Sequence, residues 1–114
     1  EPLMTIKAKA IEAQFIETYL LLALNHQSLI ATKTSRIVSA AKGRPIMEFG
    51  ARRAQGESGA ILGARSAYIA GVAGTACTKT DLDYGVPALG TMAHSWVQMF
   101  DTEYEAFKTI FKRC

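Results

Sequence analysis

Short apolar runs alternating with longer helical stretches place this chain in the α/β class with parallel strands. Two runs, residues 46–49 and 86–89, are apolar, too brief for helices and bounded by glycine or proline, as buried strands are. A third stretch, residues 4–9, alternates Met4, Ile6 and Ala8 with Thr5, Lys7 and Lys9, the period-2 pattern of a half-buried strand. Helical spacing fills the intervals. About three strands are too few to close a barrel, so the segment reads as part of a barrel or of an open sheet, with raw edges that call for neighbours.

Each remaining element follows from local signals. Residues 11–41 carry Phe15, Tyr19 and Leu22 at helical spacing, with Asn25 and His26 marking a break before a second helix from about Ser28. Gly43 closes that helix in a left-handed conformation. The loop 50–57 leads through Ser58 as N-cap into a small-residue helix over 59–70, whose alanines and glycines imply close packing. Residues 71–75 read as a glycine-rich link, 79–84 as a short helix capped by Gly85, and 90–94 as a turn running into helices over about 95–100 and 102–112.

Composition narrows the function classes. The chain has 114 residues, 49% of them hydrophobic and 20% charged, which is the make-up of one globular body. Its net charge of +3 is interleaved with acids and forms no basic stripe, so nucleic acid is not expected as a partner. No apolar stretch approaches the ~20 residues of a membrane span, and Cys77 with Cys114 makes no disulfide framework, which together point to a cytoplasmic setting without membrane association. Glu1 stands where a start methionine would, and the chain reads as a piece of a longer polypeptide.

In parallel α/β structures, ligands bind where loops leave the C-terminal ends of the strands. Arg52 and Arg53 follow the strand at 46–49, Thr75 follows the glycine-rich stretch, and Thr91 and His94 follow the strand at 86–89. Three successive loops thus share one mouth. Two guanidinium groups suit carboxylate or phosphate through paired hydrogen bonds, although solvated loop charges are the alternative. At a helix start, His94 has three open roles: nucleophile toward phosphate, general base, or hydrogen-bonded structural residue. Lys33 and Arg36, one helical turn apart, are further candidates for the same ligand face. His26 reads as structural, Cys77 lacks the partners of a catalytic thiol, and no metal-ligand set is spaced along the chain.

Four stretches taken together carry a resemblance. They are Ile11-Glu12-Ala13-Gln14 with Glu17-Thr18, Ser28-Leu29-Ile30-Ala31-Thr32-Lys33, Glu48-Phe49-Gly50-Ala51-Arg52-Arg53-Ala54-Gln55-Gly56, and Gly90-Thr91-Met92-Ala93-His94-Ser95. In this order they closely resemble nicotinate phosphoribosyltransferases. The resemblance implies a partial β/α barrel of the type II phosphoribosyltransferase kind, incomplete in this chain. It implies that 1–114 is a single central segment of the barrel domain, without the N-terminal α/β domain, which supplies a stacking aromatic across the dimer, and without the C-terminal phosphate loops.

What the resemblance implies about function is equally specific. The reaction joins nicotinate and phosphoribosyl pyrophosphate into nicotinate mononucleotide and pyrophosphate, coupled to ATP, with Mg2+ on the phosphates and a homodimer as the working form. His94 is then the histidine that ATP phosphorylates, and Arg52, Arg53, Thr75, Thr91 and Ser95 belong to the substrate pocket. Nicotinamide-using relatives carry an aspartate where this chain has Ala76, which favours the acid as substrate. The Ser-Asn pair usual in nicotinate enzymes is replaced by Ala76-Cys77. The segment alone is expected to be inactive. A non-catalytic assembly module is the alternative, with a nicotinamide enzyme behind it.

Overall fold

Helix α1 (Ala10–Ala40) runs unbroken for 31 residues, about 46 Å at the α-helical rise, and gives the molecule its elongated shape of 66 × 30 × 21 Å. The computed structural model describes residues 2–112; Glu1, Arg113 and Cys114, with any pairing of Cys77 to Cys114, lie outside the described residues. The expected break at Asn25 and His26 does not occur. Neither residue is a helix breaker, each costing only a few tenths of a kcal/mol up to about 0.7 relative to alanine, and the span holds no glycine or proline. Where α1 does end, Lys42 takes φ +50° and Gly43 φ +83°, so the left-handed turn starts one residue before the glycine expected to make it.

Residues 4–9 form no strand and are exposed throughout. Their period-2 pattern finds no described neighbour to pair with, and an extended segment without a ladder partner leaves its backbone groups to solvent. The two-stranded sheet lies elsewhere. Strand β1 (Met47–Glu48) pairs in parallel with β2 (Gly74–Thr75), in the register Met47↔Gly74 and Glu48↔Thr75. Thr75 makes a further parallel bridge to Ala88. Residues 71–75, expected as a link, therefore contain the middle strand, and the run at 86–89 contributes a single bridge. Gly74 is needed at this crossing, because a Cβ there would stand 2.4 Å from the Pro87 carbonyl oxygen.

Helix α2 (Glu57–Ile69) begins one residue after Gly56, not after the expected Ser58, and buries Gly63, Ala64, Ser66 and Ala67. Small side chains on this face let α1 approach closely: a Cβ on Gly63 would meet Ile30 Cδ1 at 3.2 Å. Arg65 of α2 reaches the Gln27 side-chain oxygen at 3.4 Å. The same guanidinium lies over the Tyr84 ring at 5.3 Å and so ties α1 to helix α3 (Thr78–Tyr84). Gly85, at φ +65°, closes α3 as expected. Val86, Thr75 and Thr80 are the largest fully buried side chains, so the core sits where α2, α3 and the sheet meet.

The last part of the chain stands apart. Helix α4 (His94–Val97) is one turn, shorter than the expected 95–100 helix, and α5 (Glu103–Phe111) is capped by Thr102, whose hydroxyl accepts from the Glu105 N–H at 3.3 Å. Among the described elements α4 and α5 pack on each other and on no other helix or strand. The architecture is α/β with helices predominating around a small parallel sheet.

Candidate functional site

Because β1, β2 and the bridge at Ala88 are mutually parallel, the segments that follow them leave the sheet at one edge. After β1 comes a single 3-10 turn, Ala51–Arg53, opened by Gly50 and closed by the Arg53 N–H donating to the Gly50 carbonyl at 2.8 Å. Both arginines of that turn are exposed. After β2 come Ala76 and Cys77, and after the bridge come Gly90 to His94. The parallel strand directions send the starts of these three segments toward the same edge of the sheet.

A carboxylate that the sequence marks only as part of a motif organises this edge. Glu48 ends β1, is half-buried, and accepts hydrogen bonds from the Gly50 N–H and from the Thr75 hydroxyl, the latter at 2.6 Å. Thr75 Oγ1 in turn accepts from the Cys77 N–H at 3.0 Å. The signal for Glu48 was available: an acid inside an apolar run of four must be bonded to be tolerated there.

Thr75, expected as a substrate contact, is enclosed by the segment itself. Its side chain is 0% exposed, and its hydroxyl donates to one partner and accepts from another inside the fold. Its place is in the framework of the loops rather than on their surface.

A cavity of about 200 Å³ opens between α1, the 3-10 turn and α2, lined by His26, Ile30, Glu48, Arg53 and Gly59. The volume is below the ~300–1,000 Å³ common for small-molecule clefts, so it suits part of a ligand. His26, read as structural from the sequence, shares this cavity with Arg53. Lys33 and Arg36 do not. They line an outward groove with Leu29, Thr32, Ile37 and Ala40, every one of them an α1 residue.

Thr91, His94 and Ser95 are all exposed. His94 is the first residue of α4, after Ala93 as N-cap. The helix-start position expected for it is met, but a single turn carries little of the aligned dipole by which longer helices favour an anion at their N-terminus. On α3, Lys79 is held above its ordinary pKa by the hydrogen bond it donates to Asp83 at 2.8 Å and by that carboxylate's charge. That pair is exposed and lies outside the cavity lining. Among the described residues no group of three or more His, Cys, Asp or Glu could hold a metal ion, and no helix is long and apolar enough to cross a membrane.

Comparisons with known proteins give the site a context. No family model matches the chain. A nicotinate phosphoribosyltransferase of Mycobacterium tuberculosis is 49% identical over 108 residues, 95% of this chain and 23% of that protein. The nicotinate phosphoribosyltransferase of Bacillus subtilis is 44% identical over 108 residues, 95% of this chain and 22% of that one. That of Caenorhabditis elegans is 37% identical over 105 residues. The crystal structure of human nicotinic acid phosphoribosyltransferase superposes with a TM-score of 0.70 at 35% identity, covering 77% of this chain and 18% of that one. The resemblance read from four motifs thus extends along nearly the whole chain, which spans about a fifth of the length of the curated relatives it matches.

Proposed function

We propose that this chain is a segment of a nicotinate phosphoribosyltransferase, and that Arg52, Arg53 and His94 take part in forming nicotinate mononucleotide and pyrophosphate from nicotinate and phosphoribosyl pyrophosphate. The observation that carries the reading is the 49% identity to such an enzyme over 95% of this chain. The parallel strands, with their C-terminal ends at one edge, fit a portion of an incomplete β/α barrel of the type II phosphoribosyltransferase kind.

Transfer at the anomeric carbon of the ribose passes through a cationic, oxocarbenium-like state, so the protein's task is to position two anionic reactants and stabilise the departing pyrophosphate. Arg52 and Arg53 supply adjacent forked donors for a pyridine carboxylate and a ribose phosphate. The Arg-Arg pair and the uncharged Ala76 both favour the acid over nicotinamide. Exposed His94 is free to accept phosphate from ATP, the coupling that the family resemblance implies, with Thr91 and Ser95 beside it in the chain.

The described residues offer no protein-only metal site. In this reading magnesium arrives on the phosphates of the substrates. The working form in this reading is a cytoplasmic homodimer containing further polypeptide, and this segment alone is inactive. Two observations favour the assembly-module alternative: α1 has no buried residue, and α4 with α5 packs on nothing else among the described elements. Under either reading the segment needs a partner surface.

A chimera decides between them. The Bacillus subtilis relative, with this chain replacing its homologous segment, is expected to convert nicotinate to its mononucleotide, to lose turnover with His94→Ala, and to take label from ATP on His94. A folded chimera that binds neither nicotinate nor ATP would support the module instead.

A further inference from the structure

We propose that Glu48 is a positioning residue, a carboxylate strut that sets where the Arg52–Arg53 turn projects from the sheet edge. The proposal rests on the reading of that turn as the anion-binding part of the site. It goes beyond it by naming what holds the turn in place.

Three features meet at Glu48. First, its two oxygens accept from different segments, Oε1 from the Gly50 N–H and Oε2 from the Thr75 hydroxyl, so one side chain joins the start of the arginine turn to β2. The tie continues through Thr75 Oγ1 to the Cys77 N–H at 3.0 Å, and a backbone bond from the Ala76 N–H to the Glu48 carbonyl runs alongside at 3.0 Å. Second, the fold makes room for this arrangement: a Cβ on Gly50 would lie 2.7 Å from Glu48 Oε1. Glycine at 50 lets the carboxylate fold back over its own turn. Third, the ion pair found among the described residues is Lys79–Asp83, so neutral donors satisfy Glu48 and neither Arg52 nor Arg53 is spent on it.

The consequence follows from the size of the turn. Gly50 opens a single 3-10 turn whose closing bond runs from the Arg53 N–H back to Gly50. Anchoring Gly50 therefore anchors Arg52 and Arg53 two and three residues later, and small misplacements of substrate-holding groups cost large factors in rate. Glu48 touches no substrate in this scheme and acts through the arginines.

Two measurements test it. In the 114-residue chain, amide hydrogen exchange is expected to speed up about tenfold or more at Gly50 and Cys77 in Glu48→Ala, with exchange in α2 unchanged. In Glu48→Gln exchange at Gly50 should stay near the parent rate, because the amide oxygen can still accept there, while Cys77 should speed up in part, because the amide nitrogen leaves the buried Thr75 hydroxyl without its acceptor. In the Bacillus subtilis chimera, Glu48→Ala and Thr75→Val should each raise KM for nicotinate by about tenfold or more with a smaller effect on kcat. The double variant should be no worse than either single one, and Glu48→Gln, which keeps an acceptor for Gly50 alone, should give a KM between those of the parent and Glu48→Ala.

Unchanged exchange at Gly50 and Cys77 in Glu48→Ala removes the strut. Faster exchange with KM and kcat both unaltered removes the positioning role, as does additivity in the double variant. Should Glu48→Ala unfold, Thr75→Val and Thr75→Ser carry both arms, and equal behaviour of those two variants overturns the proposal. A parent chimera without turnover counts against the enzyme reading, while the exchange arm still decides the strut.

Discussion

A methyl group on Gly74 would sit 2.4 Å from the carbonyl oxygen of Pro87 and 2.7 Å from Leu89 Cδ1, so β2 and the segment beyond it approach each other as closely as two backbones allow. That closeness lets the Thr75 N–H donate to the Pro87 carbonyl at 3.0 Å and the Leu89 N–H donate to the Thr75 carbonyl at 2.8 Å. It holds the His94 loop to the same sheet as the arginine turn.

Gly74→Ala should therefore destabilise the fold by about 1–3 kcal/mol through overpacking. Gly85→Ala provides the contrast: φ is +65° there and nothing lies within 4 Å of the added carbon, so its cost of about 1–2 kcal/mol is left-handed strain alone. Urea midpoints measure both. Second-site relief separates them, since Leu89→Ala should recover part of the Gly74→Ala loss and none of the Gly85→Ala loss.

Lys42 is the one non-glycine residue with positive φ among the described residues, at +50°. Lys42→Gly should raise stability by about 0.5–1 kcal/mol, the relief of left-handed strain less the extra entropy of an unfolded glycine. A lowered thermal midpoint would contradict this account of how α1 ends.

The first half of α1 presents Ile11 at 80%, Phe15 at 88% and Tyr19 at 72% exposure on one long helix. Apolar surface of that extent is seldom left in water. The purified chain is expected to self-associate in a concentration-dependent way by sedimentation velocity. Ile11→Glu with Phe15→Glu should shift it toward monomer without loss of helical circular dichroism.

Arginine geometry and arginine position can be tested apart in the active chimera. Arg52→Lys and Arg53→Lys keep the charge and lose the fork, and charge-assisted hydrogen bonds of about 1.5–3 kcal/mol translate into KM increases of about 10- to 100-fold. Lys33→Ala and Arg36→Ala, in their separate groove on α1, should leave turnover within about twofold. Equal losses at all four positions would mean that the two grooves act as one.

The Lys79–Asp83 pair bears on pH dependence, and its sign is definite. A lysine pKa raised above 10.5 on folding contributes stability that is fully present below 10.5 and fades as pH climbs through the folded value. Around neutrality Lys79→Met should leave the shape of the stability–pH profile unaltered, as denaturation midpoints between pH 6 and 9 would show. Because the pair is exposed, screening keeps its contribution small.

The amino-acid sequence alone determined the α/β class, a strand within 46–49, the helix ended by Gly85, the close packing over Gly63 and the loops carrying Arg52, Arg53 and His94. Those features depend on local periodicity, glycine conformations and motif residues, which are written within a few positions of one another. Tertiary structure decided the rest. Residues 4–9 lacked a strand to pair with, the glycine-rich 71–75 became the middle of the sheet because β1 and Ala88 flank it, and Thr75 turned inward to meet Glu48. Lys33 and Arg36 line a groove along α1, while Arg53 lines a cavity shared with His26 and Gly59. A strand, a buried hydroxyl and a shared cavity each need a partner distant in the chain, and the identity of that partner emerges only when the chain has folded.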